Sequence, residues 1–240
     1  MNPRLPTVEV FRASELGNSS FLVADPEAGE AVAVDPLRDV DQYLGRADEL
    51  DVRVVRALET HVHNDFVSGA RELQAETGAT ITAAHDAGLR YEHQGVAEGD
   101  ELPVGRFKLR VRYTPGHTPQ HVSYLLLDET GKELALFSGG AIMVGAIART
   151  DLFGPHLATH LALEAYRTIH VRLRHLPDDV ALYPTHGGGS FCAAGSSGQA
   201  SSTMASERKT NPYLTTHELM PFIARALHQG PYPRYYREMA

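Results

Sequence analysis

His61 and His63 stand one residue apart just after an apolar run, Val52 to Leu58, and Asp65 continues the alternation. A strand there sends both imidazoles to one side, because successive side chains alternate across the backbone. Two neutral nitrogens and a carboxylate form a donor set suited to zinc or iron and poorly suited to calcium or magnesium. Two further histidines have similar surroundings. His117 lies in Pro115-Gly116-His117-Thr118-Pro119 after a run ending at Tyr113, and His186 lies in Pro184-Thr185-His186-Gly187-Gly188-Gly189 after a run ending at Tyr183. Three such strand exits predict a metal centre drawn from His61, His63, His117, Asp65 and His186. Beside a metal held there, Asp65 could orient the metal-activated water or take its proton.

Other residues carry secondary expectations. His121, four residues after His117, is read either as a substrate contact or as a hydrogen-bonded structural histidine. Cys192 follows the glycine-rich turn after His186, as a thiol near the centre or, more commonly, a small buried one. Arg149 offers a fork that can meet a substrate carboxylate, whereas Arg208 reads as a surface ion-pair partner. His156 and His160 are four apart on a helical pattern, but Leu157 stands where a zinc-protease helix requires glutamate. The sequence contains no G-x-S-x-G elbow, P-loop or G-x-G-x-x-G turn, which removes serine-hydrolase, P-loop and dinucleotide chemistry.

The elements that must position these residues alternate along the chain. Strands are predicted over Val8 to Arg12, Ser19 to Ala24, Ala31 to Val34 and Val52 to Leu58, with a helix capped by Asp39 running to about Leu50. A helix from Ser68 to Thr77, closed by Gly78, precedes a strand over Thr80 to Ala83. Further strands follow over Arg106 to Tyr113, His121 to Leu127 and Glu133 to Phe137, and a long helix runs from His156 to about His175 before Pro177. This order fits two sheets packed face to face with helices outside. From Gly187 to Ser206, fifteen of twenty residues are Gly, Ser or Ala, a composition read as a long surface loop next to the site. A helical stretch near Thr216 to His228 closes the pattern, and the whole of 1–240 is read as one domain.

Charge and composition bound the partner. The chain has 240 residues, with 22 Lys and Arg against 30 Asp and Glu, a formal charge of −8 that argues against nucleic acid. The longest charge-free apolar stretch, Leu134 to Ala148, is too short to span a bilayer, so no membrane partner is expected. No signal-peptide pattern opens the chain, and a cytoplasmic protein is the expectation. One cysteine against 13 histidines excludes an all-thiolate zinc site.

The segments THVHND, TPGHTPQHVSY, FSGGAIMVGAIARTD and YPTHGGGSFC, in this order and spacing, resemble the metallo-β-lactamase superfamily. The likeness is closest to persulfide dioxygenases and their rhodanese-fused relatives, with the glyoxalase II thioesterases further off. It implies an α+β fold, a four-layer αβ/βα sandwich with the metal at the edge between the sheets. It also implies that His61, His63 and His117 belong to a first metal position and Asp65 and His186 to a second. Two positions depart from the pattern: Phe66 stands where a further histidine ligand is usual, and Gly140 where an aspartate ligand is usual.

The dioxygenase likeness implies one ferrous ion held by two histidines and an aspartate, which fall on His61, His117 and Gly140. The third place then goes to His63, to Asp65 or to water, or no iron binds. The function expected from this resemblance is oxidation of glutathione persulfide, or a similar low-molecular-weight persulfide, to sulfite with oxygen at a single Fe(II) or Zn(II) site. The alternatives are a mononuclear zinc hydrolase of a thioester and a non-catalytic sulfur-transfer partner. Residues 229–240 resemble the linker to a rhodanese domain, so a separate rhodanese is an expected partner, and a homodimer is left open.

Overall fold

The computed structural model describes residues 5–63, 65–192, 196–228 and 230. Its first sheet contains β1 (Thr7–Ala13), β2 (Asn18–Asp25), β3 (Glu30–Val34), β4 (Arg53–Leu58), β5 (Thr80–Ala84) and β6 (Gln94–Val96), in that spatial order. The first three strands form an antiparallel meander, and β3 to β6 run parallel. In the second sheet, β7 (Glu101–Val104), β8 (Phe107–Tyr113), β9 (Val122–Leu127), β10 (Glu133–Gly139), β11 (Ala181–Pro184) and β12 (Ser202–Thr203) are again neighbours in sequence order. Only β10 and β11 pair in parallel there.

Period-two alternation sorts the side chains into layers. Phe21, Val23, Val32 and Val34 of the first sheet meet Leu109, Val111, Tyr124 and Phe137 of the second in the central core. Their neighbours Leu22, Ala24, Ala31 and Ala33 face outward onto Tyr43 and Ala47 of α1 (Asp41–Glu49) and Leu73 of α2 (Ala70–Thr77). On the far side, Leu125, Leu127 and Leu136 pack against Ala162 and Ala165 of α3 (Pro155–Arg167) and Phe222 of α5 (Leu219–Leu227). Both faces of each sheet are therefore covered, giving the expected αβ/βα order of layers.

Several boundaries differ from the sequence expectations. Val40, not Asp39, holds the N-cap of α1, and no side chain caps that end. The helix expected to reach His175 ends at Arg167 and continues as a π-helical turn, Thr168–Arg172. The glycine- and serine-rich stretch is partly structured: Ser202 and Thr203 pair with β11, and α4 (Met204–Thr210) starts inside it, capped by Thr203 Oγ1 accepting from Ser206 N at 3.2 Å. The linker-like segment 229–240 lies outside the described residues except for Gly230. No helix among the described residues is long and apolar enough to cross a membrane.

Candidate metal centre

The chemistry-bearing residues collect at one edge of the sandwich because the strands that carry them end there. Asp35 leaves β3, Glu59 to His63 leave β4, His117 lies in the turn between β8 and β9, Gly140 follows β10, and His186 follows β11. Parallel strands ending side by side make such an edge the natural place for a site.

Three imidazoles converge. His61, His117 and His186 are all buried and bring ligand atoms within 4.8 Å of one another. Each ring is fixed through Nδ1. His117 Nδ1 donates to the Arg149 carbonyl at 2.8 Å, and a carbonyl only accepts, so the proton lies on Nδ1 and Nε2 keeps its lone pair. Thr60 Oγ1 donates to Asp35 Oδ2 at 2.8 Å and therefore accepts from His61 Nδ1 at 2.9 Å. Asn18 Nδ2 donates to Asp65 Oδ2 at 2.9 Å, which turns Asn18 Oδ1 to accept from His186 Nδ1 at 3.1 Å.

With Nδ1 as the donor, each ring in its neutral form turns an unprotonated Nε2 toward the others. His61 Nε2 and His186 Nε2 lie 3.1 Å apart, a contact in which two lone pairs repel unless a proton or a cation stands between them. On His61 and His117 a proton is disfavoured: burial, reinforced by the charge of His63, drives the His61 pKa well below its ordinary value, and burial brings His117 down to about 3. Nitrogens about 2.0–2.1 Å from one tetrahedral ion stand about 3.3 Å apart, so the separation suits shared ligation. Anchoring the far nitrogen is also how metal-binding histidines are oriented. The donor set fits one transition-metal ion.

His63 is placed differently. Its Nε2 lies 3.1 Å from Asp35 Oδ1 and 3.3 Å from Glu59 Oε2, in a buried cluster. Burial alone lowers its pKa, but the two carboxylates overcome this and raise it to about 10. Asp35 is itself over-determined. It also accepts from Thr60 N at 2.7 Å and from Thr185 Oγ1, joining the two sheets, and its φ of 48° is one that aspartate tolerates better than most residues. The Phe66 ring packs against His63, tilted by 34° with the centroids 4.3 Å apart. Asp35 and Glu59 with His63 form a second group of ligand atoms within 4.8 Å, and His63, Asp65 and His186 a third. Among the described residues, only the three-histidine group presents nitrogen donors throughout, each ring anchored through Nδ1.

Asp65 is held beside this group. Burial would raise its pKa, but His186 and Asn18 outweigh that and keep it well below the usual carboxylate range. Its Oδ1 is buried without a hydrogen-bond partner among the described residues. At Gly140 an added Cβ would stand 2.8 Å from both Ala148 Cβ and His117 Cδ2, so this position, where the sequence resemblance implies an aspartate, has no room for a side chain unless its neighbours shift.

The three residues read as substrate contacts are engaged elsewhere. His121 Nε2 accepts from Gly140 N at 3.0 Å and its Nδ1 donates to Thr114 Oγ1 at 2.9 Å, bracing the glycine turn. The Arg149 guanidinium is buried and bonds Asp151 at 2.6 and 2.9 Å and the Gly230 carbonyl at 3.0 Å. Cys192 is buried, packed with Met143, Ala146 and Ala148, and its carbonyl accepts from Arg149 N at 2.9 Å. Asn18, Asp35 and Glu59 escaped the sequence reading. The only signal for Asp35 is a charged residue between a buried strand and Pro36; Asn18 shows none beyond its turn with Gly17.

Comparisons with known proteins agree with this architecture. A family model described as the metallo-beta-lactamase superfamily matches residues 13–186. A hydroxyacylglutathione hydrolase of Polaromonas sp. is 36% identical over 180 residues, covering 74% of this chain and 65% of its own length. The mitochondrial persulfide dioxygenase ETHE1 of Homo sapiens is 30% identical over 198 residues, covering 82% of this chain and 71% of its own. The chain therefore spans about two thirds of the length of these curated relatives. Among solved structures, a metallo-beta-lactamase from Staphylococcus aureus subsp. aureus COL superposes with a TM-score of 0.89 at 31% identity, covering 98% of this chain and 71% of that one. ETHE1 from Myxococcus xanthus gives 0.80 at 29%, covering 95% and 92%. On its matched residues, its relatives and its layered sheets, the chain belongs to the metallo-β-lactamase superfamily.

Proposed function

We propose that this chain is a mononuclear metalloenzyme that oxidises the outer sulfur of a low-molecular-weight persulfide with molecular oxygen. The observation that carries this reading is the convergence of three imidazoles anchored through Nδ1, in a chain where Phe66 and Gly140 stand at two positions expected to hold ligands of a binuclear site. The near end-to-end match with ETHE1 from Myxococcus xanthus supports it, whereas the hydroxyacylglutathione hydrolase is matched over only 65% of its length.

His61, His117 and His186 would hold one iron. When bound, the ion supplies the redox chemistry that lets a sulfur nucleophile react with oxygen. The balanced reaction takes a persulfide anion, oxygen and water to a thiol, sulfite and a proton. The outer sulfur loses four electrons to oxygen, and the sulfur–sulfur bond breaks. The chain's own contribution is positional. Thr60, Arg149 and Asn18 fix the three rings before substrate arrives, so no reorganisation is needed at reaction. Asp65, held strongly acidic, is a poor proton acceptor; its open Oδ1 orients water by hydrogen bonding instead.

A second reading rests on the donor set: three histidines and a water are also a catalytic zinc site, suited to thioester hydrolysis. Protein produced with added iron or zinc separates the two. The expected result is one ion per chain and, in the iron form, oxygen uptake with sulfite release from a persulfide, both lost on His61→Ala. An iron-loaded protein that consumes no oxygen, with a zinc form that cleaves a thioester, transfers the conclusion to the hydrolase. Absence of stoichiometric metal defeats both.

A further inference from the structure

A cavity of about 340 Å³ adjoins the three-histidine group and shares His61 with it. Val62, Phe66 and Val67 from the loop after β4 form one side, and Ala84, Leu89 and Tyr91 from the end of β5 and its following turn form the other. Among the described lining residues the only carboxylate is Glu59, and none is Lys or Arg. Arg71 stands over the Tyr91 ring, its guanidinium carbon 5.6 Å from the centroid, without lining the cavity. Val62 and Val67 leave 44% and 62% of their surface exposed. Apolar surface is thus held open to water next to the candidate centre.

A glutathione adduct brings two carboxylates and an ammonium, and charges taken from water must be paired. The one cation on the lining, His63, is already paired with Asp35 and Glu59, so the cavity offers the carboxylates of such a molecule no free partner. The side chain that relatives use as a ligand is here Phe66, which builds the wall. We infer that the substrate carries an uncharged apolar group on sulfur, a short alkyl or aryl chain seated in this cavity, rather than a charged tripeptide such as glutathione. This names the substrate class for the proposed persulfide site and rests on that reading for the chemistry, though not for the binding.

The test is calorimetric binding of unreactive thioethers to the full chain: S-methyl-, S-butyl- and S-hexyl-N-acetylcysteamine, beside S-methylglutathione. Affinity is expected to rise about fourfold per added methylene until the cavity fills, with S-methylglutathione no tighter than S-methyl-N-acetylcysteamine. Leu89→Asp, on a partly exposed turn, flattens the series, and an unchanged melting temperature shows that the fold is kept. A flat series in the parent protein, or tighter binding of S-methylglutathione, overturns the inference. His117→Ala keeps the series even though it lacks a metal ligand. Absence of stoichiometric metal from the parent protein with the series intact therefore defeats the proposed function alone, and a flat series in metal-loaded parent defeats this inference alone.

Discussion

His61 and His63 leave the same strand two residues apart, yet they enter opposite electrostatic settings. His61 rests on a threonine hydroxyl and joins His117 and His186, which rest on a carbonyl and an amide. His63 rests on two carboxylates. In the first group burial drives the His61 pKa well below its ordinary value and brings His117 down to about 3; in the second the carboxylates raise the His63 pKa to about 10. Neutral acceptors on Nδ1 leave a lone pair free on Nε2, while carboxylates bind the proton that a metal would have to displace. On the proposed reading, what suits a histidine of this motif to hold a metal is therefore its anchor, more than its place in the motif.

The largest effect is expected where the cationic ring is removed. His63→Ala leaves Asp35 and Glu59 buried with no counter-charge, a change that costs about 3–5 kcal/mol. Denaturant unfolding should show this loss, while metal analysis of the folded fraction still finds one ion per chain. Stoichiometric metal loss with stability unchanged would reverse the comparison, making His63 the ligand and the carboxylates incidental.

The contrast between the two rings also marks where sequence reading ends. The near-continuous apolar runs of β2, β3 and β9 mark strands buried on both faces, and so two covered sheets, from the residues alone. β6 and β7 are too short and too polar to show a period, and α4 hides in a stretch whose composition is that of a linker. Within the site, the motifs deliver His61, His117 and His186 to one edge of the sandwich. They cannot say which ring meets which anchor, because Asn18, Asp35 and Glu59 are single residues at strand ends, up to 168 positions from the ring they hold. Asp35 is the clearest case: one carboxylate fixes the His61 anchor, the His63 charge and the joint to Thr185.

A smaller effect tests the closed position in the neutral group. Gly140→Ala places a methyl 2.8 Å from Ala148 Cβ and His117 Cδ2, overlap of a kind that costs about 1–3 kcal/mol. The ring cannot yield without straining its bond to the Arg149 carbonyl, so metal affinity should fall along with the melting temperature. Gly140→Asp should behave the same way, adding a carboxylate without adding a ligand. A gain in iron affinity on Gly140→Asp would show that the turn opens and that His186 holds no necessary place.

The finest test removes an anchor and leaves every candidate ligand in place. Asn18 contacts no reacting atom; its amide passes between Asp65 Oδ2 and His186 Nδ1, so it fixes both the tautomer and the angle of His186. Losing a partner of this kind typically weakens metal binding tenfold to a hundredfold, about 1.4–2.7 kcal/mol. Asn18→Ala should therefore show that drop in competitive titration against a chelator, and His117→Ala in the same titration should lose measurable binding. His186 Nδ1 also lies 3.3 Å from Asp65 Oδ2. Without the amide, the ring is left to the carboxylate alone and takes on the situation of His63. If Asn18→Ala binds metal as tightly as the parent, a carboxylate anchor serves as well as a neutral one, and the distinction drawn between the two histidine groups fails.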